Sequence, residues 1–237
     1  MTSTLHDVVA VTSLALEACI ARGPGVSVIC NQAFDLGAAL EIAAAHDASG
    51  IISFGIAGGL APYLLPGDWV VASAVRSGSK VIATDRLWTQ KLLEMLPRAV
   101  YAQLTGAERV ISTPGEKAQL YNETGAAAVD MESHIAAEVA TAHRVPFAAC
   151  RVIIDSAYTV LPPAAMLGVR SDGTPDFGAV IRSVLKMPRQ LPDLIRTAFD
   201  ACIAQRALSG GRKRLGVALG FPFNELDSHH SEVTLYL

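Results

Sequence analysis

Charge is scarce in this chain. Only 17% of its 237 residues are Asp, Glu, Lys or Arg, and the formal net charge is −3. The densest basic cluster is the short "GRKR" of Gly211–Arg214. That is too little to hold nucleic acid by neutralising phosphates. Paired cysteines are lacking as well. Cys19, Cys30, Cys150 and Cys202 are scattered with no CxxC. They read as buried apolar thiols in a reducing, cytoplasmic compartment. The N-terminus has no basic segment ahead of its first apolar run, so a signal peptide is not expected. Aromatics make up only 6% of the chain, whereas alanine and glycine are abundant, which favours helices packed closely on a sheet.

What is present is apolar. Hydrophobic residues make up 51% of the chain, and its length suits one large domain with a sizeable core. One uncharged stretch, Ala48–Gly67, is about as long as a bilayer span. Its five glycines and two prolines fit a buried strand and a glycine turn better than a membrane helix.

Strand and helix patterns alternate. Asp7–Val11, Val26–Cys30, Gly50–Leu60, Gly67–Val75, Arg109–Thr113, Ala126–Met131 and Val145–Asp155 read as strands. Helical spacing follows Thr12 or Ser13 as N-cap and recurs at Phe34–Asp47, Asp85–Pro97, Glu116–Glu123 and Ser133–His143. It returns from Phe177 to about Leu208, interrupted by Pro188 and Pro192. Continuous apolar strands between helices predict an α/β sheet covered on both faces. Ser209–Gly211 with "GRKR" reads as a hinge, which divides a domain at 1–208 from a tail at 209–237. "EVTLYL" in that tail alternates like an appended strand.

Ligands of open α/β sheets gather at the carboxyl ends of strands. Five places qualify: Thr12–Glu17, Gly55–Gly59, Thr113–Glu116, Asp130–Glu132 and Asp155–Ser156. The glycines of "GIAGG" let a ligand approach backbone N–H groups, although tight turn packing explains them equally well. Asp130 and Glu132 point to one side of an extended chain and Met131 to the other. Two such acids raise each other's pKa unless a partner sits between them, yet acids also suit a helix start. Asp155 ends the strongest apolar strand. It reads as a carboxyl held protonated for general acid work, or as an Asx turn. Arg151 lies on the same strand face and is a natural partner for one of these acids. Glu17 sits beside an apolar stripe, which is unusual for a helix glutamate. "DSHHSE" (Asp227–Glu232) is a weak candidate metal site. No GxSxG elbow is present.

Three motifs in order, "GIAGGLAPYLLPGDWVVAS", "AVDMESHIAAEVA" and "PFAACRVIIDSA", carry a resemblance. From about Val8 to Leu208 the chain resembles the purine nucleoside phosphorylase and methylthioadenosine/adenosylhomocysteine nucleosidase superfamily. "DMESH" followed by "RVIIDSAYTVLPPAA" is most similar to the hopanoid-associated phosphorylases, proposed to remove adenine from adenosylhopane. The resemblance implies a single-domain three-layer sandwich around a central mixed, mostly parallel sheet. It implies cleavage of an N-glycosidic bond with no metal or organic cofactor, inorganic phosphate being the one conceivable co-substrate. Asp155 would protonate the leaving purine, Glu132 would bind the ribose hydroxyls and Met131 would pack on the sugar. Asp130 matches an acidic position of less clear role. Glu17 would position an attacking water. Gly55, Gly58, Gly59 and Ser13 would line the phosphate or water site. A homodimer or larger homo-oligomer is implied, and the substrate is a small or lipid-linked nucleoside.

The sequence departs from the family at Ile56 and Ile154, where serines are expected, and at Asn31 and Gln32, where glycines are. Glu17 favours water as nucleophile, whereas the hopanoid-associated match favours phosphate. The apolar loops Leu60–Leu65 and Val160–Gly168 could line a lipid groove or touch a membrane surface, or pack in the core or a subunit interface. Hydrolysis of methylthioadenosine or adenosylhomocysteine is the competing enzymatic reading. A nucleoside-binding protein without turnover is the other.

Overall fold

The computed structural model describes residues 7–30, 36–46, 48–166 and 176–223. In chain order the elements are β1 (Val8–Thr12), α1 (Ala15–Ala21), β2 (Val26–Cys30), α2 (Leu36–Ala45), β3 (Gly50–Gly59), β4 (Trp69–Ser77), β5 (Lys80–Ala83) and α3 (Arg86–Met95). Then come β6 (Val100–Gly106), α4 (Pro114–Thr124), β7 (Ala128–Asp130), α5 (Ser133–His143), β8 (Phe147–Asp155), α6 (Pro163–Met166), α7 (Phe177–Lys186) and α8 (Leu191–Leu215).

The strands form one sheet in the order β2-β1-β3-β7-β6-β4-β5, with β8 paired to both β3 and β4. The sheet is mixed. β1–β2, β1–β3, β3–β8, β4–β6 and β6–β7 are parallel, and β3–β7, β4–β5 and β4–β8 are antiparallel. Because β8 bridges β3 and β4, the strands β3, β7, β6, β4 and β8 close on themselves, and this wraps the site end of the sheet.

Successive residues of the central strands enter different apolar layers, as a period of two requires. Val9, Val11 and Ile51 pack with Leu40 of α2 and Ala136 and Ala140 of α5. Val8, Ala10, Ile52 and Phe54 pack with Trp88 and Leu92 of α3 and with Ala204 and Leu208 of α8. The result is helix, sheet, helix: an α/β domain with a mixed central sheet, as expected.

Several expectations are corrected. Arg109–Thr113 is a loop, and the strand of that region is β6, whose Gln103 and Thr105 break its apolar pattern. Gly55–Gly59 is not a turn after β3 but its last five residues. Thr12 and Ser13 do not cap α1; Leu14 does, in extended backbone. Ser209–Gly211 is no hinge, because α8 runs through it to Leu215. Gly211 lies against Trp69, where an added Cβ would fall 2.2 Å from the indole. That glycine serves close helix–sheet packing. The helix therefore crosses the boundary expected at 208, and Leu215, Ala218 and Leu219 enter the core. Pro188 opens a 3-10 turn and Pro192 occupies the first turn of α8, where no N–H is lost. Cys19, Cys30 and Cys202 are exposed; only Cys150 is buried, and burial pushes its thiol up to about 12. Asn31, Gln32, "DSHHSE" and "EVTLYL" lie outside the described residues.

Candidate active site

β8 supplies the centre of the site. Its alternation puts Arg151, Ile153 and Asp155 on one face. In the β3–β8 register Gly55 faces Arg151. A bulge between Ala57 and Gly58 then sets Gly58 opposite Asp155. Bulges of this kind re-aim side chains beside functional sites.

Arg151 is fully buried. Its Nε lies 2.8 Å from Asp130 Oδ2. Its Nη2 donates to Glu132 Oε2 at 3.3 Å and to Ser53 Oγ at 2.5 Å. Its Nη1 donates to the carbonyl of Ile56 at 3.5 Å. Burial opposes the guanidinium charge, but Asp130, Glu132 and Glu17 outweigh it and raise its pKa. The fork geometry of arginine suits this task, since one planar cation serves several acceptors.

Asp130 is committed to this frame. Besides its ion pair with Arg151, it accepts from the N–H of Glu132 at 3.2 Å, from the N–H of Ser133 at 2.8 Å and from Ser133 Oγ. It fixes the turn from β7 into α5, where the chain would otherwise leave N–H groups unpaired. These contacts tie Asp130 to Arg151 and to the backbone beside Glu132. Glu132 keeps a freer carboxylate, touching Arg151 and the Ser13 side chain. Burial is the main reason that its pKa rises to about 7; Arg151 opposes the rise, and Asp130 and Glu17 add to it. Met131, between the two buried acids, is 37% exposed.

Glu17 is buried because of how α1 begins. It reaches back to accept from the N–H of Ser13 at 2.8 Å and of Leu14 at 2.9 Å, as an N3 glutamate does. Its other oxygen accepts from Ile56 N–H at 2.7 Å. Burial raises its pKa, while Arg151 and these three N–H groups favour the carboxylate. Gly55 makes room for it. An added Cβ there would fall 2.5 Å from Glu17 Oε1 and 2.7 Å from Arg151 Nη1.

Asp155 stands apart from this network and pairs with Lys117 of α4, which sequence reasoning missed. Both side chains are buried. Lys117 Nζ also donates to the carbonyl of Ser156 at 2.7 Å and of Thr159 at 3.4 Å. Burial raises the Asp155 pKa, Lys117 opposes that shift, and Asp200 of α8 reinforces it. The signal for Lys117 was its place in α4, three and four residues before the half-buried Leu120 and Tyr121, on the apolar face. Its neighbour Glu116 belongs to the surface: it closes a capping box with Thr113 and pairs with Arg109, whose hydrogen bond holds its carboxyl down at about 2.

The glycines of β3 join the two groups. Gly55 abuts Glu17 and Arg151, whereas an added Cβ at Gly58 would lie 3.5 Å from Asp155 Oδ1. At Gly59 it would lie 3.0 Å from the Asp155 carbonyl. Ile56 and Ile154 both pack toward the second apolar layer, away from this face. What residue 56 contributes is its backbone, an N–H to Glu17 and a carbonyl to Arg151, so the isoleucine costs the cluster no contact. Leu64, in one of the apolar loops, is core; Tyr63 and Leu65 beside it are 59% and 61% exposed.

The phosphorylase superfamily model matches residues 35–186, well over half of the chain. The chain belongs to the phosphorylase superfamily. No curated protein sequence matches it. Among solved structures, the fold of this superfamily member is similar to that of futalosine hydrolase from Helicobacter pylori. The TM-score is 0.64 at 14% identity over 90% of this chain and 98% of the other. It is also similar to the 5'-methylthioadenosine/S-adenosylhomocysteine nucleosidase of the same organism, with TM-score 0.61 and 13% identity over 90% of this chain and all (100%) of that one. A nucleosidase from Colwellia psychrerythraea in complex with adenine gives a TM-score of 0.60 at 16% identity over 76% and 95% of the two chains. No helix among the described residues is long and apolar enough to cross a membrane.

Proposed function

We propose that this phosphorylase superfamily member cleaves the N-glycosidic bond of an adenine nucleoside, with adenosylhopane as its substrate. The observation that carries the reading is the separation of two buried carboxyl systems along one glycine-lined strand. Asp155, with a raised pKa, is suited to give a proton. Glu132, with a pKa of about 7, is suited to accept from sugar hydroxyls as a carboxylate. Breaking a C–N glycosidic bond leaves negative charge on the base and builds positive charge on the ribose. Asp155 protonates the departing base, and Glu132 steadies the oxocarbenium-like sugar. Lys117 then faces the Asp155 carboxylate that remains, which favours completing the transfer. The similar nucleosidase structures, one of them holding adenine, support the choice of base.

Of the two candidate nucleophiles, water suits the site better than phosphate. Glu17, held by three N–H groups, would orient a water. A phosphate would need a cation, and both buried cations of the cluster already face acids. A lipid-linked substrate is supported by Tyr63, Leu65, Tyr158 and Val160, all exposed on the loops that follow β3 and β8. Hydrolysis of methylthioadenosine or adenosylhomocysteine is the second reading, favoured by the retained Glu17.

The test supplies adenosylhopane and methylthioadenosine, each with and without phosphate, and identifies the products. Adenine from adenosylhopane in preference to methylthioadenosine supports the proposal. A 5-substituted ribose with a free anomeric hydroxyl marks hydrolysis, and the corresponding 5-substituted ribose 1-phosphate marks phosphorolysis. Adenine from methylthioadenosine alone favours the second reading, and no adenine from either leaves a binding protein without turnover. Leu65→Glu and Val160→Glu should impair adenosylhopane and spare methylthioadenosine. Equal losses on both would count against a lipid groove there.

A further inference from the structure

The charge of this chain is not evenly spread. Residues 177–214 carry eight Lys or Arg and two Asp, a local balance of +6. The remainder then holds eleven cations against twenty acids, or −9, which together give the net −3. Only Arg212 of the eight is folded in, donating to the carbonyls of Ala21 at 2.8 Å and Gly216 at 2.7 Å. Arg182, Lys186, Arg189, Arg196 and Arg206 are exposed, as are Lys213 and Arg214.

The same segment exposes large apolar side chains. On α7, Ile181 is 59% and Leu185 75% exposed. On α8, Leu191, Ile195 and Phe199 recur every fourth residue and are 46%, 49% and 68% exposed. Ala204, Leu208 and Leu215 bury the opposite face of that helix against the sheet, so the outer stripe is not core. Hydrogen bonds from Gln190 tie the pieces together. Its side chain accepts from Ala164 N–H at 3.0 Å and donates to the Ser183 carbonyl at 2.8 Å. The segment follows the strand that ends in Asp155, and Asp200 of α8 acts on that carboxyl.

An exposed aliphatic and aromatic stripe flanked by Arg and Lys matches an amphipathic helix lying in a membrane interface. Cations gain there from anionic headgroups, while the apolar residues enter the acyl boundary. A second copy would set one cationic face against another, which like-charge repulsion opposes. We propose that α7 and the outer face of α8 form a docking face for a membrane surface rich in anionic phospholipid. This inference does not depend on which nucleoside the site takes.

The test is sedimentation of the full chain with vesicles of phosphatidylcholine alone or mixed with phosphatidylglycerol. Binding should be strong to the mixed vesicles and fall about tenfold or more on pure phosphatidylcholine or at high salt, since each basic residue near the surface contributes roughly fivefold and several act together. Leu185→Glu with Phe199→Glu, and separately Arg189→Glu with Arg196→Glu, should each weaken it by a similar factor. Circular dichroism melting should stay unchanged, because all four side chains are exposed. Absence of vesicle binding, or equal binding to both lipids, overturns the proposal. So does light scattering that shows Phe199→Glu splitting a homo-oligomer, for then the face meets another copy of the chain.

Discussion

The two buried cations of the candidate site, Arg151 and Lys117, are used in opposite ways. Arg151 is shared among Asp130, Glu132, Ser53 and a backbone carbonyl, so no single acid owns it. Lys117 faces one carboxylate, Asp155, and spends its other donors on loop carbonyls. A planar guanidinium can brace several acceptors at once, whereas an ammonium acts as a point charge beside a single titrating group. The first arrangement makes a rigid frame in which Asp130 is locked. The second leaves one acid whose proton can be moved. The proposed reaction, which holds a sugar and also gives up a proton, calls for both kinds.

Four experiments would break or sharpen that contrast, beginning with the largest effect. Asp155→Asn should lower base release by roughly 10²–10⁴-fold with the fold intact, as expected for loss of a general acid. Activity within about tenfold of the unaltered protein would assign the proton to another group. Arg151→Met should act mainly on stability. It leaves Asp130 and Glu132 as buried acids without their cation, at a cost of about 3–5 kcal/mol measured by denaturant unfolding. A loss under about 1 kcal/mol would mean that the frame is not held by this residue.

Lys117→Met should destabilise less, because it orphans one carboxyl that can take up a proton. Lys117 holds the Asp155 pKa down against burial, so without it that pKa rises further. Since the proposed reaction uses Asp155 in its protonated form, the alkaline limb of the activity profile should move to higher pH. Lys117→Arg should restore its position. A limb that stays put would make Lys117 merely structural. The smallest effect concerns Glu132, whose pKa stands near 7 against an ordinary 4.5. Its contribution to stability is fully present below about 4.5 and is lost as pH rises through about 7. Glu132→Gln should flatten that part of the stability curve. It should also remove an activity limb that rises through about 7 as the carboxylate forms. An unchanged limb would place that titration elsewhere.

Much of the site is legible along the chain. Asp130, Glu132, Asp155 and Arg151 stand out because acids and a cation at the ends of apolar strands are costly without a purpose. Glu17 stands out through its apolar neighbours. Two features mislead. The "SGG" of Ser209–Gly211 has the composition of a hinge, yet Gly210 and Gly211 sit inside α8 because the helix must approach Trp69. Lys117 lies on the apolar face of α4, which hints at burial, but nothing local reveals the carboxylate 38 residues away that it meets.

By itself the sequence determined the alternation of strand and helix, the two apolar layers and the placing of acids at strand ends. These depend on short-range periodicity, which fixes which side of a strand or helix each residue occupies. Only the tertiary structure decided which acid meets which cation. Closure of β8 between β3 and β4 brings Arg151 to Ser53 across 98 residues and to Glu132 across 19. Burial within that closure, not sequence neighbours, then sets the pKa values of Glu17, Glu132 and Asp155.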